Sequence, residues 1–211
     1  MNETAPENRT MGPGAVIGAM LMCVVFGANI VAIKISLRGM GPLTAAGIRF
    51  ALAAAAIAAW ALVTRRSFAL KKGQLSQLGS NAVYIKRIIS EYKAFQIAFY
   101  PIAFITPFLF AAAFILEDPA AVHLDWPVTC ALVYQGIVSA GAGFVVWNVL
   151  QKRYGVVTLH SFIFLVPVSG VTFSALVLDE AVTGMNFIVS LVLITLGILL
   201  VNAGVGKKKR P

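Results

Sequence analysis

Six stretches of this sequence are long, apolar and nearly free of charge: residues 11–33, 43–63, 94–116, 126–151, 155–178 and 181–206. A transmembrane helix needs about 20 consecutive apolar residues, and Arg49 is the only Lys, Arg, Asp or Glu inside any of these stretches. Only 12% of the 211 residues are charged and 59% are apolar, whereas about a quarter of an ordinary soluble chain is charged. The sequence therefore predicts an all-α polytopic membrane protein with six transmembrane helices, surrounded by a lipid bilayer.

The net charge of +9 does not indicate a nucleic-acid partner, because the basic residues lie between the apolar stretches and at the end of the chain. With six spans, 14 of the 17 Lys and Arg residues fall on one side of the membrane. Basic residues are enriched in cytoplasmic loops. This distribution predicts a multi-pass protein of the cytoplasmic (inner) membrane with both termini in the cytoplasm.

A short repeat links two distant segments. GANIVAIK at residues 27–34 and GSNAVYIK at residues 79–86 are identical at five of eight positions. The first copy ends a predicted span at the outer side, whereas the second precedes the cytoplasmic start of the third span. Inverted repeats of this kind are typical of secondary transporters.

The residues around the repeat resemble a known family. GANIVAIKISLRGMGPLTAAGIRFALAA and, near the end, YQGIVSAGAGFVVWNVLQKR and FLVPVSGVTFSALVLDEAVTGMNFIVSLVLITLGILLVN are similar to the EamA-type branch of the drug/metabolite transporter superfamily. The resemblance covers residues 15–66 and 79–204. It implies export or uptake of small organic solutes or metabolites by alternating access.

The chain is shorter than the family pattern of ten helices in two inverted repeats. Along the resemblance, helices three to five and the first half of helix six are absent. This implies a remnant of a ten-helix transporter with four parts: a truncated first repeat at 1–66, a cytoplasmic junction at 67–78, a second repeat at 79–206 and a basic tail at 207–211.

Three polar residues are candidates for a substrate path. Arg49 lies about 9 Å inside the second span at 1.5 Å per residue, where it either faces a cavity or snorkels to the interface. Lys34, at the outer end of its span, has the same two alternatives. Asn29 either contacts substrate or hydrogen-bonds between helices. If Lys34 and Arg49 line a cavity, they favour a substrate with an anionic group.

Prolines and two further residues complete the predictions. Pro101, Pro107 and Pro167 interrupt helical hydrogen bonding, so Pro167 predicts a kink and all three are pathway candidates. Glu180 is expected to cap the last helix or to pair with Arg38 or Arg49, and Trp147 to anchor the helix at the membrane interface.

Nothing in the sequence indicates an enzyme, a metal site or a cofactor. His160 and Ser161 are adjacent, so they point in different directions on a helix, and no phosphate-binding glycine loop is present. Three functional hypotheses stay open: a transporter, a transport-inactive remnant or membrane assembly partner, and a homodimer in which each chain supplies the other's missing helices.

Overall fold

The computed structural model describes residues 11–66 and 93–178. Within these ranges all regular structure is helical, and five helical segments are long and apolar enough to cross a membrane, the last of them Thr158–Leu178. The chain is thus a polytopic helical protein, as the sequence predicts. The sixth predicted span, the junction at 67–78 and the second copy of the repeat lie outside the described residues.

The described spans begin and end within three residues of the predicted positions. Their bounds are α1 Pro13–Ser36, α2 Pro42–Val63, α3 Ala94–Leu116, α4 Trp126–Tyr154, the short α5 Val156–His160 and α6 Leu165–Leu178. Proline stands in the first turn of α1, α2 and α4, where its missing N–H costs no hydrogen bond. The Asp125 carboxylate also caps α4 by accepting from the Val128 N–H at 2.8 Å.

The middle of α4 departs from α-helical geometry. Residues Tyr134–Gly143 form a π-helix between the α-helical parts Trp126–Val133 and Phe144–Tyr154. Such wide turns are rare and occur often at functional sites. Six of these ten residues are buried, so the wide segment faces its neighbouring helices.

The fifth predicted span, 155–178, is interrupted. The break lies at residues 161–164, one turn before Pro167. Pro167 has no N–H to donate to the carbonyl of Ile163, and that carbonyl instead accepts from the Val166 N–H at 3.0 Å, three residues on. The deformation expected from Pro167 is therefore present as a tightened turn that separates α5 from α6.

Helix α1 packs against α4 and α6, and α2 packs against α3 and α4. Two buried clusters, both rich in alanine, lie where α2, α3 and α4 meet. Ala53, Ile102 and Ala140 form one, and Ile57, Ala61, Phe95 and Ala98 form the other. Glycines in α4 also allow close packing, since Gly136 approaches Leu52 on α2 and Gly143 approaches the ring of Phe26 on α1.

One carboxylate joins the ends of two spans. Glu117, directly after α3, accepts hydrogen bonds from the backbone N–H groups of Leu43 at 2.6 Å and Thr44 at 2.9 Å, and from the Thr44 hydroxyl at 2.7 Å. Gly41, which precedes α2, provides no side chain to cap it. Desolvation raises the pKa of Glu117, but the bonds from Thr44 and Leu43 outweigh it, so the pKa is lowered overall.

The charges of the described ranges separate by end. Their three acidic residues, Glu117, Asp118 and Asp125, lie at the end where α1 and α3 finish and α2 and α4 begin. Five basic residues lie at the opposite end: Arg65, Arg66, Lys93, Lys152 and Arg153. Lys34 and Arg38 lie at the acidic end.

Candidate functional site

The start of the π-helix is tied to α1 by two side chains. The Tyr134 hydroxyl donates to the carbonyl of Val25 at 2.9 Å. The Gln135 amide, only 1% exposed, donates to the carbonyl of Ala32 at 3.0 Å. Both bonds use backbone oxygens on α1, so polar groups of α4 are held inside the helix bundle.

The next residue of α4 brings it against α2. A Cβ on Gly136 would lie 3.0 Å from the backbone oxygen of Arg49 and would overlap the Cβ of Leu52. Only glycine allows this approach without moving a helix. The first turn of the π-helix therefore touches α1 on one side and the Arg49 region of α2 on the other.

Two buried polar atoms on the helices that this turn contacts have no hydrogen-bond partner among the described residues: Asn29 Oδ1 on α1 and Arg49 Nε on α2. Asn29 lies between Val25 and Ala32 on α1, and by helical spacing it shares their face. We call the set Asn29, Arg49, Tyr134, Gln135 and Gly136 the polar junction. An unpaired buried donor or acceptor costs about 1–3 kcal/mol, so the polar junction holds groups that a bound polar molecule would satisfy.

The Arg49 side chain is half-buried, and its guanidinium carbon lies 4.6 Å from the centroid of the Phe50 ring. A cation over an aromatic face is stabilised while its N–H groups stay available at the edges. Arg49 can thus donate to a carboxylate or phosphate oxygen. Asn29 can accept from an N–H or O–H group.

Lys34 is held differently. Its ammonium nitrogen donates to the hydroxyl of buried Ser174 at 3.1 Å, which joins α1 to α6. The Lys34 side chain is nonetheless exposed. This bond links two helices, whereas the two alternatives given for Lys34 from the sequence were snorkelling to the interface and facing a cavity.

Two turns before Lys34 on α1, the two helices approach each other closely at Gly27 of α1 and Gly170 of α6. A Cβ on Gly27 would overlap the Ser169 hydroxyl oxygen and lie 2.8 Å from the Gly170 nitrogen. The Ser169 hydroxyl donates to the carbonyl of Leu165 at 2.7 Å. Half-buried Pro167 stands two residues before Ser169, so this α1–α6 contact starts directly after the broken turn.

The other predicted residues lie apart from the polar junction. Pro101 and Pro107 are exposed on α3. Trp147 packs edge-on against Phe26 with ring centroids 5.8 Å apart, which adds a contact between α4 and α1. Glu180 lies outside the described residues. Among these, the glutamate that accepts hydrogen bonds at a helix start is Glu117, at α2.

Sequence reasoning missed Tyr134 and Gln135 as site residues. The available signal was the pair itself, two adjacent polar side chains inside an apolar span, which have to find partners in a bilayer. In the part of the chain that the structure describes, no group of His, Cys, Asp or Glu is placed to hold a metal ion.

The profile of the EamA-like transporter family matches residues 75–203. The chain belongs to this family. The match covers the region predicted to be the second repeat, including α3, α4 and α6. No solved structure is similar enough to match the chain.

One curated relative, from Escherichia coli (strain K12), is named "Probable amino-acid metabolite efflux pump". It is 33% identical to this chain over 96 residues, which are 43% of this chain and 32% of the relative. The chain therefore aligns with about a third of the length of the relative that it matches.

Proposed function

We propose that this protein is a secondary transporter of small organic solutes that works by alternating access, with the polar junction in its substrate path. Membership of the EamA-like family supports transport as the activity. The observation that supports the location is the pair of buried atoms without a partner among the described residues, Asn29 Oδ1 and Arg49 Nε, on the two helices that contact the start of the π-helix. Ionisable residues inside spans are expensive and mark substrate pathways.

The proposed substrate carries an anionic group. Arg49 supplies a planar cation whose N–H groups match a carboxylate, and a desolvated cation gains most when an anion binds beside it. The relative's name refers to amino-acid metabolites, which carry carboxylates. Asn29 would then accept a hydrogen bond from an amino or hydroxyl group of the same molecule.

The proposed location is the cytoplasmic membrane with both termini in the cytoplasm. The separation of the described acids and bases supports this orientation, because the more basic end is the one expected in the cytoplasm. Fusions of a reporter after Arg66 and after Asp118 test it. Activity of a cytoplasmic reporter at Arg66 but not at Asp118 is expected, and the reverse pattern would contradict the proposal.

Flux of radiolabelled amino acids into vesicles that contain the purified protein tests the function. Arg49→Ala is expected to lower kcat/KM for carboxylate substrates about 10- to 100-fold, because a hydrogen-bonded charge contributes about 1.5–3 kcal/mol. Arg49→Lys should keep part of the activity, since the charge stays. Arg38→Ala is the control, because Arg38 is exposed beyond the end of α1, and equal losses in both alanine variants would contradict the role of Arg49.

A second candidate is a transport-inactive remnant or assembly partner, and the limited alignment favours it: the chain matches only 32% of the relative. A homodimer that completes the missing helices is the third arrangement. Absence of substrate-dependent flux from folded protein would support the remnant. Flux that appears only when single-cysteine variants cross-link between chains would support the dimer.

A further inference from the structure

Helices α2 and α4 leave an apolar groove between them with a cavity volume of about 340 Å³. Its lining includes Ala56 and Trp60 from α2 and Gly141, Ala142 and Val146 from α4. The volume falls in the range of ligand-binding clefts, about 300–1,000 Å³. None of its lining residues belongs to the polar junction, so the groove is a different site.

The groove exists because small residues meet where α4 is wide. Ala56 Cβ lies only 3.6 Å from the position that a side chain on Gly141 would take. Trp60, 41% exposed, forms the wall toward the end of α2. The Trp60 indole is the only polar side-chain group among the lining residues, so the groove suits a hydrocarbon chain better than a polar solute.

Two arginines, Arg65 and Arg66, follow the end of α2 that carries Trp60. The guanidinium carbon of Arg66 lies 5.1 Å from the Trp60 ring centroid, so the wall of the groove carries a cation. Arg65 takes a left-handed backbone conformation with φ 50°, and the Arg66 N–H closes the helix end on the carbonyl of Ala61. Both side chains are exposed, and every described carboxylate lies at the opposite end of the bundle.

We propose that this groove binds one acyl chain of an anionic phospholipid whose phosphate contacts Arg65 and Arg66. Basic pockets beside transmembrane helices on the cytoplasmic side bind anionic headgroups. The apolar cleft and the rim cations fit the two halves of one such lipid. A second copy of this chain fits less well, because a copy in the same orientation brings the same arginines to this end.

Quenching of Trp60 fluorescence by brominated acyl chains tests the proposal. The variant W126F/W147F leaves Trp60 as the only tryptophan, and it is placed in phosphatidylcholine vesicles with a minor share of either brominated phosphatidylglycerol or brominated phosphatidylcholine. Stronger quenching by the anionic lipid is expected. In this background Arg66→Gln should lower the preference about fivefold, the effect of one basic residue at an anionic surface.

Two matched variants separate the site from general surface charge. Arg153→Gln removes an exposed basic residue from the same end of the bundle and should leave the preference unchanged. Ala142→Phe fills the groove and should remove it while Arg66 remains. Equal quenching by the two lipids, or an equal loss in the Arg66 and Arg153 variants, would overturn the proposal. If neither lipid quenched Trp60 and the variant Ala142→Cys formed cross-links between chains, the groove would be assigned to a second copy of the chain. The outcome is independent of the proposed transport, which is measured by flux.

Discussion

The two contacts that α1 makes with its neighbours use polar residues in opposite ways. At the contact between α1 and α6, the polar side chains named above have partners. Lys34 of α1 bonds Ser174 of α6, and Ser169 bonds the Leu165 carbonyl within α6. Against α4, Tyr134 and Gln135 bond carbonyls of α1, but Asn29 Oδ1 has no partner among the described residues. The same is true of Arg49 Nε on α2, the helix that contacts the same turn of α4. In a bilayer, water cannot satisfy such atoms. The first contact therefore has the properties of a fixed joint, and the unpaired atoms at the second support the binding site that we propose.

The strongest test of the fixed joint is Gly27→Leu. The new side chain would overlap Ser169 and Gly170 and force α1 away from α6, and overpacking of this kind costs about 1–3 kcal/mol or more. The expected result is a lower unfolding temperature in detergent and less folded protein in the membrane. Gly18→Leu is the matched control on the same helix, because nothing lies within 4 Å of a Cβ there. Equal effects of the two changes would show that α1 and α6 are not closely packed.

A pair of substitutions compares paired and unpaired groups inside the polar junction. Gln135→Leu removes a buried hydrogen bond to α1 and should destabilise the protein by about 0.6–1.7 kcal/mol, from the average to the maximum of such bonds between transmembrane helices. Asn29→Leu removes an oxygen without a partner among the described residues, so the stability should stay the same or rise while substrate flux falls. Unfolding by detergent titration and vesicle flux give the two readouts. If Asn29→Leu destabilised the protein without changing flux, Asn29 would be structural.

Ser174→Ala tests the contact between α1 and α6 with a smaller expected loss of stability than Gly27→Leu. It removes the acceptor of the Lys34 ammonium and should cost about 0.6 kcal/mol, the average for such bonds, because exposed Lys34 can turn to the interface. Flux should not change. Thr172→Ala, at an exposed position two residues earlier that bonds only within its own helix, is the control for the loss of a hydroxyl.

The smallest effect is expected at Glu117, which water can reach. Its pKa is lowered in the folded protein, so its contribution to stability is present above the ordinary glutamate value and is lost as the pH falls through the lowered pKa. Unfolding temperatures between about pH 7 and pH 3 should therefore converge for the wild type and Glu117→Gln at the acid end. A difference that grew toward low pH would contradict this sign.

The sequence predicts the spans well because length and apolarity alone decide whether a segment enters a bilayer. It also predicts the deformation at Pro167, since a missing N–H acts locally. The π-helical turn at Tyr134–Gly143 was not predicted, because its stability depends on contacts of Tyr134, Gln135 and Gly136 with two other helices. The bond between Lys34 and Ser174 joins residues 140 positions apart, and no local pattern encodes that distance.

Among the candidate site residues, too, the local sequence encodes some features, whereas others depend on contacts with distant residues. Arg49 and Asn29 are predicted as site residues because polar residues are conspicuous in apolar spans, and their contact with substrate stays a prediction. Pro101 and Pro107 were chosen for backbone chemistry, which does not indicate the direction that a residue faces, and both are exposed. Glu117 could not be distinguished from Asp118 by sequence, since the difference lies in which carboxylate reaches the start of α2.

The carboxylate of Glu117 also limits how the helices can move. Glu117 is the first residue after α3, and its carboxylate bonds the first turn of α2. While its three hydrogen bonds are kept, these two spans cannot slide past each other along the membrane normal. They can only tilt, with Glu117 as the hinge point. Any opening between them is therefore largest at the far end, where Trp60 and Phe95 meet edge-on.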